Sequence, residues 1–141
     1  MAIEVRIHPL DFEPDVAIGI DLPMMKGVGA SFQQTYTTLD QAVANAKNLI
    51  LTNKGERVML PEFGCDLRRV VFENITQDLT EQIDTVIRES FSYWLPYIFI
   101  NDLRVSAMED QNKVFINLTI SLEGNKFDTR SVQLEIQTAA A

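Results

Sequence analysis

Three carboxylates crowd one stretch of the chain: Glu62, Asp66 and Glu73. Glycoside hydrolysis needs two carboxyl groups facing each other across a sugar, so a sugar-cleaving centre would lie here if anywhere. Spacing along the chain does not itself show that geometry. In an acidic chain their ordinary use is capping and surface hydrogen bonding, and Asp66 stands where the positive end of a short helix would favour it. A serine or cysteine nucleophile needs a histidine beside it. The single His8 precedes Pro9 in a proline-rich segment, and nothing around Cys65 supplies a local signature. Cys65 follows Gly64 just before a helix start, a place that can lower a thiol pKa, but a small buried residue in a tight turn is the simpler reading. One cysteine and one histidine are too few for a structural zinc site. Gly64 lacks the glycine series and lysine of a phosphate loop, which leaves it a backbone role. No catalytic residue, metal or cofactor is expected.

The elements that would position these residues are legible in the pattern of the 141 residues. Twelve Lys and Arg against twenty Asp and Glu give a net charge of −8, which argues against nucleic acid held through its phosphates. No stretch approaches the uncharged apolar length of a membrane span, and the N-terminus lacks the basic start and apolar run of a signal peptide. A reducing, cytoplasmic site of synthesis is expected. Residues 1–37 hold three of the five prolines and half of the six glycines and read as an extended arm. Within the arm Ile3, Val5 and Ile7 alternate with Glu4 and Arg6, and 16–20 is a short apolar run. Either could lie as a strand against something.

Residues 38–141 read as one α+β domain of two layers. A helix is predicted from Leu39 to Leu51, with Thr38 as its cap and Gln41 reaching back. A strand-like piece, 56–60, ends at Pro61, a tight turn covers 61–64, and a brief helix covers 66–72. A second long helix spans Leu79 to Trp94, with Asp78 and Glu81 at capping-box spacing. Three strands follow, at 100–108, 114–122 and 130–137, with strict alternation. Apolar rows such as Val132, Leu134 and Ile136 oppose polar rows, Asn117 and Thr119 on one strand and Ser131, Gln133 and Glu135 on another. That pattern describes an antiparallel three-stranded sheet covered on one face by the two main helices. The end of the second helix carries Phe91, Tyr93, Trp94, Tyr97 and Phe99, more aromatics than one stripe can bury, so some of them should face outward, either as the rim of a large satellite core or as protein-binding anchors.

The ordered series Leu51-Thr52-Asn53-Lys54-Gly55-Glu56-Arg57, Pro61-Glu62-Phe63-Gly64-Cys65-Asp66-Leu67 and Val71-Phe72-Glu73-Asn74-Ile75-Thr76 resembles the signature of the contractile phage-tail baseplate wedge and sheath-initiator family. The likeness covers roughly residues 39–137 and leaves the arm unassigned. It implies that Gly55, Glu56, Arg57, Pro61, Glu62, Phe63, Gly64, Phe72 and Glu73 are structural motif residues. It also implies a virion tail baseplate subunit, assembled in the host cytoplasm, with other wedge proteins and the tail sheath protein as partners. The arm is expected to meet tube or hub proteins. In that family the sheet mimics the sheath subunit's handshake domain and accepts a strand from the first sheath ring, a β-augmentation. Asn117, Thr119, Ser131, Gln133 and Glu135 are then the sheath-facing positions. Where the family carries Glu-Pro-Arg for docking on the wedge core, this chain has Leu95-Pro96-Tyr97. The ionic contact cannot transfer, and Trp94, Leu95, Pro96 and Tyr97 are expected to anchor the same corner through apolar contact. Members of the family have also been labelled lysozymes, which keeps a peptidoglycan-cleaving enzyme as the alternative.

Overall fold

A computed structural model of the chain describes residues 9–27, 32–73 and 78–137, without the side chains of residues 73 and 109. His8, the alternating segment 3–7, the motif residues Asn74, Ile75 and Thr76, and the alanine tail 139–141 lie outside the described residues. The order of elements is β1 (Gly19–Ile20), β2 (Gln34–Thr35), α1 (Thr38–Leu51), α2 (Leu67–Glu73), α3 (Leu79–Trp94), β3 (Ile98–Met108), β4 (Lys113–Leu122) and β5 (Asn125–Gln137). This is the α+β, two-layer arrangement, with helices packed on the sheet.

The sheet is antiparallel in the order β3-β4-β5, so β4 is central. Its even-numbered residues Val114, Ile116, Leu118 and Ile120 are all buried, as strict alternation on a half-covered sheet requires. The cover is the apolar stripe of α3 (Leu79, Ile83, Ile87, Phe91) with Ala42, Ala46, Leu49 and Ile50 of α1. Tyr97 and Leu122 close the β3 end of this layer, where the Glu123 N–H donates to the Tyr97 carbonyl at 2.8 Å. The register of β3 on β4 slips at Asn101, whose carboxamide oxygen accepts from the buried Ser121 hydroxyl at 2.9 Å.

Several local expectations are corrected. Thr37 rather than Thr38 caps α1, its hydroxyl accepting from the Asp40 N–H at 3.2 Å. Thr38 is drawn to the arm instead: its N–H and its hydroxyl both donate to Oδ1 of Asp11 at 2.8 Å. Gln41 does not reach back to the cap. Its carboxamide oxygen accepts from the Thr35 hydroxyl at 2.6 Å and its nitrogen donates to Asn45 at 2.9 Å. Asp78 precedes α3 in a helical conformation without a side-chain capping bond, so the Asp78-Glu81 box does not form. Residues 56–60 are not a strand. Among the described residues no second strand lies beside them, and they turn on themselves through Leu60 N–H to Arg57 O at 3.3 Å and Gly55 N–H to Pro61 O at 2.7 Å. β5 begins at Asn125, earlier than its polar residues suggest, because the Glu123-Gly124 turn, with Gly124 at φ +94°, returns the chain at once to β4.

The described part of the arm rests on α1. Besides the Asp11 seat, β1 and β2 pair with each other, and Nζ of Lys47 donates to the Leu22 carbonyl at 2.7 Å.

Replacing Ile87 by Ala should lower the unfolding free energy by about 2–5 kcal/mol, the range for a large-to-small change in a closed core. Val58→Ala, at a side chain 93% exposed, should stay within about 0.5 kcal/mol. Denaturant melts of the two variants check both values.

Candidate functional site

The loop between α1 and α2 and the C-terminal end of α3 form one surface. The loop leaves α1 at Thr52, whose hydroxyl donates to the Asn48 carbonyl at 2.6 Å and whose own carbonyl accepts from the Cys65 N–H at 3.0 Å. Gly64 crosses against that strut at φ +133°. A β-carbon there would stand 2.5 Å from the Thr52 oxygen, so both the space and the torsion require glycine. Gly55 also takes a positive φ, +89°, with open space around it, so the demand there is conformational alone. Glu56 accepts from the Asn53 side chain at 2.6 Å and holds the turn.

This framework presents an aromatic column. The Arg57 guanidinium lies 4.1 Å from the centre of the Phe63 ring. Phe63 meets Trp94 edge-on at 5.1 Å, and Tyr93 meets Trp94 edge-on at 4.9 Å. Cation–π and edge-to-face contacts each add a modest attraction beyond area burial. Two stretches far apart in sequence, the Gly-Glu-Arg to Pro-Glu-Phe-Gly loop and the end of α3, thereby become one face. A groove of about 560 Å³ runs beside the column, with Pro61, Glu62, Asp66, Glu89 and Tyr93 in its walls.

The predicted anchors do not all point outward. Trp94 is half-buried, Pro96 is exposed and Tyr93 is 72% exposed. Leu95 belongs to the core, its N–H donating to the Phe91 carbonyl at 2.9 Å. Tyr97 packs against the core, with its hydroxyl accepting from Nδ2 of Asn45 at 2.7 Å. The side chains that this corner leaves at the surface are those of Tyr93, Pro96 and, in part, Trp94. Sequence reading missed the fully exposed loop tip of Val58 and Met59, taking it as part of a strand. Gly55 and Pro61 on either side were the signal that it turns.

Glu62 and Asp66 both stand in the wall of the groove. Glu62 is exposed, Asp66 is 3.5 Å from the Arg69 guanidinium, and the side chain of Glu73 lies outside the described residues. An exposed carboxylate in an open groove lacks the desolvated setting that a proton donor to a glycosidic oxygen uses. Cys65 is fully buried, and burial pushes its thiol up to about 11. That is the inert, packed cysteine of the simpler reading. Among the described residues no group of three or more His, Cys, Asp or Glu could hold a metal, and no helix is long and apolar enough to cross a membrane. Phe72 is exposed on α2.

On the sheet, Asn117 stands opposite Gln133 and Thr119 opposite Ser131, all on the face turned away from the helices. Glu135 is joined to Lys113 at 2.7 Å, which with Gln137 holds its carboxyl below the usual range. Asn117 and Thr119 ride the central strand, whose backbone is paired on both sides. They offer a partner side chains only. Among the described residues the free margins of this sheet belong to β3 and β5.

Residues 37–126, more than half of the chain, match the sequence model of the baseplate wedge protein gp25 family. The chain belongs to that family. It is 28% identical over 91 residues to baseplate wedge protein gp25 of Enterobacteria phage T4, covering 64% of this chain and 69% of that protein. In the post-contraction baseplate of pyocin R2, a chain 25% identical superposes with a TM-score of 0.57, over 74% of this chain and 97% of that one. Two further structures share the fold. A Geobacter sulfurreducens protein described as a tail lysozyme is 21% identical, with a TM-score of 0.63 over 76% of this chain and 98% of that one. A chain of the anti-feeding prophage baseplate is 18% identical, with a TM-score of 0.55 over 85% and 84%. As a gp25-family member, the chain has its family segment running from the cap of α1 into the start of β5, which includes the whole aromatic column.

Two outcomes follow for this region. Gly64→Ala should destabilise the fold by at least about 1 kcal/mol, since it adds a positive-φ penalty and a backbone clash. Thermal melting checks it. The Cys65 thiol should stay unreactive towards an aromatic disulfide reagent at pH 8 in native buffer and react at once in denaturant. Because the folded thiol titrates above its ordinary value, its contribution to stability is complete below pH 9 and is lost as pH rises towards 11.

Proposed function

We propose that this gp25-family wedge protein acts as a structural adaptor with two working surfaces. The Tyr93-Trp94-Pro96 corner docks on the wedge core, and a margin of the three-stranded sheet receives an extended strand from the first ring of sheath subunits. The observation that carries the second role is the pair of long outer strands. β3 has 11 residues and β5 has 13, and each has one side without a strand neighbour among the described residues. Backbone groups left so are a template for β-augmentation, with alternate side chains setting register. The corner reading is supported by the exposed Tyr93 packed on the half-buried Trp94 beside a groove, the kind of surface from which binding hot spots are made. It also replaces the ionic contact that Leu95 and Tyr97 cannot supply.

The alternative, cleavage of peptidoglycan, draws on the fold shared with the Geobacter sulfurreducens protein. Glu62, Asp66 and Glu73 are the carboxylates it would draw on.

Mixing the purified chain with sheath protein should shorten the lag of sheath polymerisation, followed by light scattering. Tyr93→Ala with Trp94→Ala should weaken binding to purified wedge proteins by about 2 kcal/mol, the scale of a hot-spot loss, and leave sheath seeding in place. Equal binding by the double variant discards the corner. Clearing of peptidoglycan by the wild type that Glu62→Gln abolishes would replace the adaptor reading with the enzyme.

A further inference from the structure

The tip of the loop between α1 and α2 is made of three consecutive apolar residues, Val58, Met59 and Leu60. The first two are each 93% exposed and Leu60 is 41% exposed. Loop tips are ordinarily built of glycine, proline and short polar residues. A run of three exposed apolar side chains works against folding unless a binding role keeps it. The loop does have an inward route: Phe63 turns back to Trp94 and packs against the core. Val58 and Met59 do not take it.

The tip stands on a closed framework. The Gly55 N–H donates to the Pro61 carbonyl at 2.7 Å across the base of the loop, and the Phe63 N–H donates to the Leu60 carbonyl at 3.1 Å. The Arg57 guanidinium lies on the Phe63 ring at one flank. Side chains presented by backbone that is already ordered lose less freedom on binding. Lys54 and Arg57, both exposed, flank the tip, and among the described residues neither has an ion pair with a carboxylate. Glu56 between them is engaged by the Asn53 side chain at 2.6 Å. The loop is therefore apolar at its end and cationic at its sides, on a chain of net charge −8.

We propose that Val58 and Met59 form a docking knob that enters an apolar pocket rimmed by carboxylates on a neighbouring baseplate protein. The apolar end requires a pocket that excludes water from both side chains, and the unbranched Met59 adapts to its shape. Lys54 and Arg57 require the acidic rim, which sets the approach and the orientation of the partner. The same charge balance favours a protein over a lipid surface, because two cations at the tip do not offset the repulsion between anionic headgroups and a chain of net charge −8. The knob shares no residue with the Tyr93-Trp94-Pro96 corner or with the sheet margins. It adds a third working surface to the adaptor and rests on that reading.

Binding to the purified wedge proteins is compared for the wild type, for Val58→Ser with Met59→Ser, and for Lys54→Gln with Arg57→Gln. The serine pair should melt with the wild type, since neither side chain is covered in the free chain, and should bind at least about tenfold more weakly. The glutamine pair should flatten the fall of affinity with rising salt, because salt screens exposed charges. Equal affinity of the wild type and the serine pair overturns the knob and leaves the adaptor standing. An unchanged salt dependence in the glutamine pair overturns the acidic rim. A wild type that binds no wedge protein removes the adaptor reading and the knob with it. Sedimentation of the wild type, but not of the serine pair, with vesicles of phosphatidylcholine and phosphatidylglycerol overturns the proposal in favour of a lipid surface.

Discussion

The apolar row of β4 sets the terms for the rest of the molecule. Four consecutive inward residues, Val114, Ile116, Leu118 and Ile120, must leave water together, and each such side chain gains about 1.5–3 kcal/mol when it does. A single layer cannot do this, so α1 and α3 are laid across one face. Their stripes of Ala42, Ala46 and Leu49 and of Ile83, Ile87 and Phe91 are matched to that task. The same solution leaves the other face of the sheet, and among the described residues the outer sides of β3 and β5, without a second layer or strand.

Around this core the loop from Thr52 to Cys65 behaves as a brace. Its backbone is closed on itself by Gly55 and Pro61 and tied back to the end of α1 by Cys65 and Thr52. Gly64 permits the approach. Through Phe63 the brace touches Trp94, so the end of α3 is held from outside the core. The motif runs 51–57 and 61–67, which read as unconnected in the sequence, are parts of this one brace.

A line of hydrogen bonds joins the arm to the same corner from the other side. The Thr35 hydroxyl donates to Gln41, Gln41 to Asn45, and Asn45 to the hydroxyl of Tyr97. Four residues from three regions of sequence thus share one polar network, and such networks fix geometry when all their members are satisfied. No buried side-chain polar atom among the described residues lacks a partner. The arm is seated on the domain by side chains of α1 that its sequence could not name.

The α+β class, the three alternating strands, the two long helices and their inward residues were legible in the chain, because periodicity reports directly which side of an element meets water. So were the backbone role of Gly64, the inertness of Cys65 and the family likeness carried by the loop motifs. What periodicity does not encode is competition for a polar group. Asp11 took the donors of Thr38 and moved the cap to Thr37, the arm took Gln41, and Leu95, apolar in an aromatic cluster, went to the core while Tyr93 stayed outside. Residues 56–60 had a strand's composition and, among the described residues, no strand beside them. Local pattern determined the elements and their buried faces; contacts between distant segments decided the caps, the corner and the open margins, because each depends on which second group arrives within hydrogen-bonding distance.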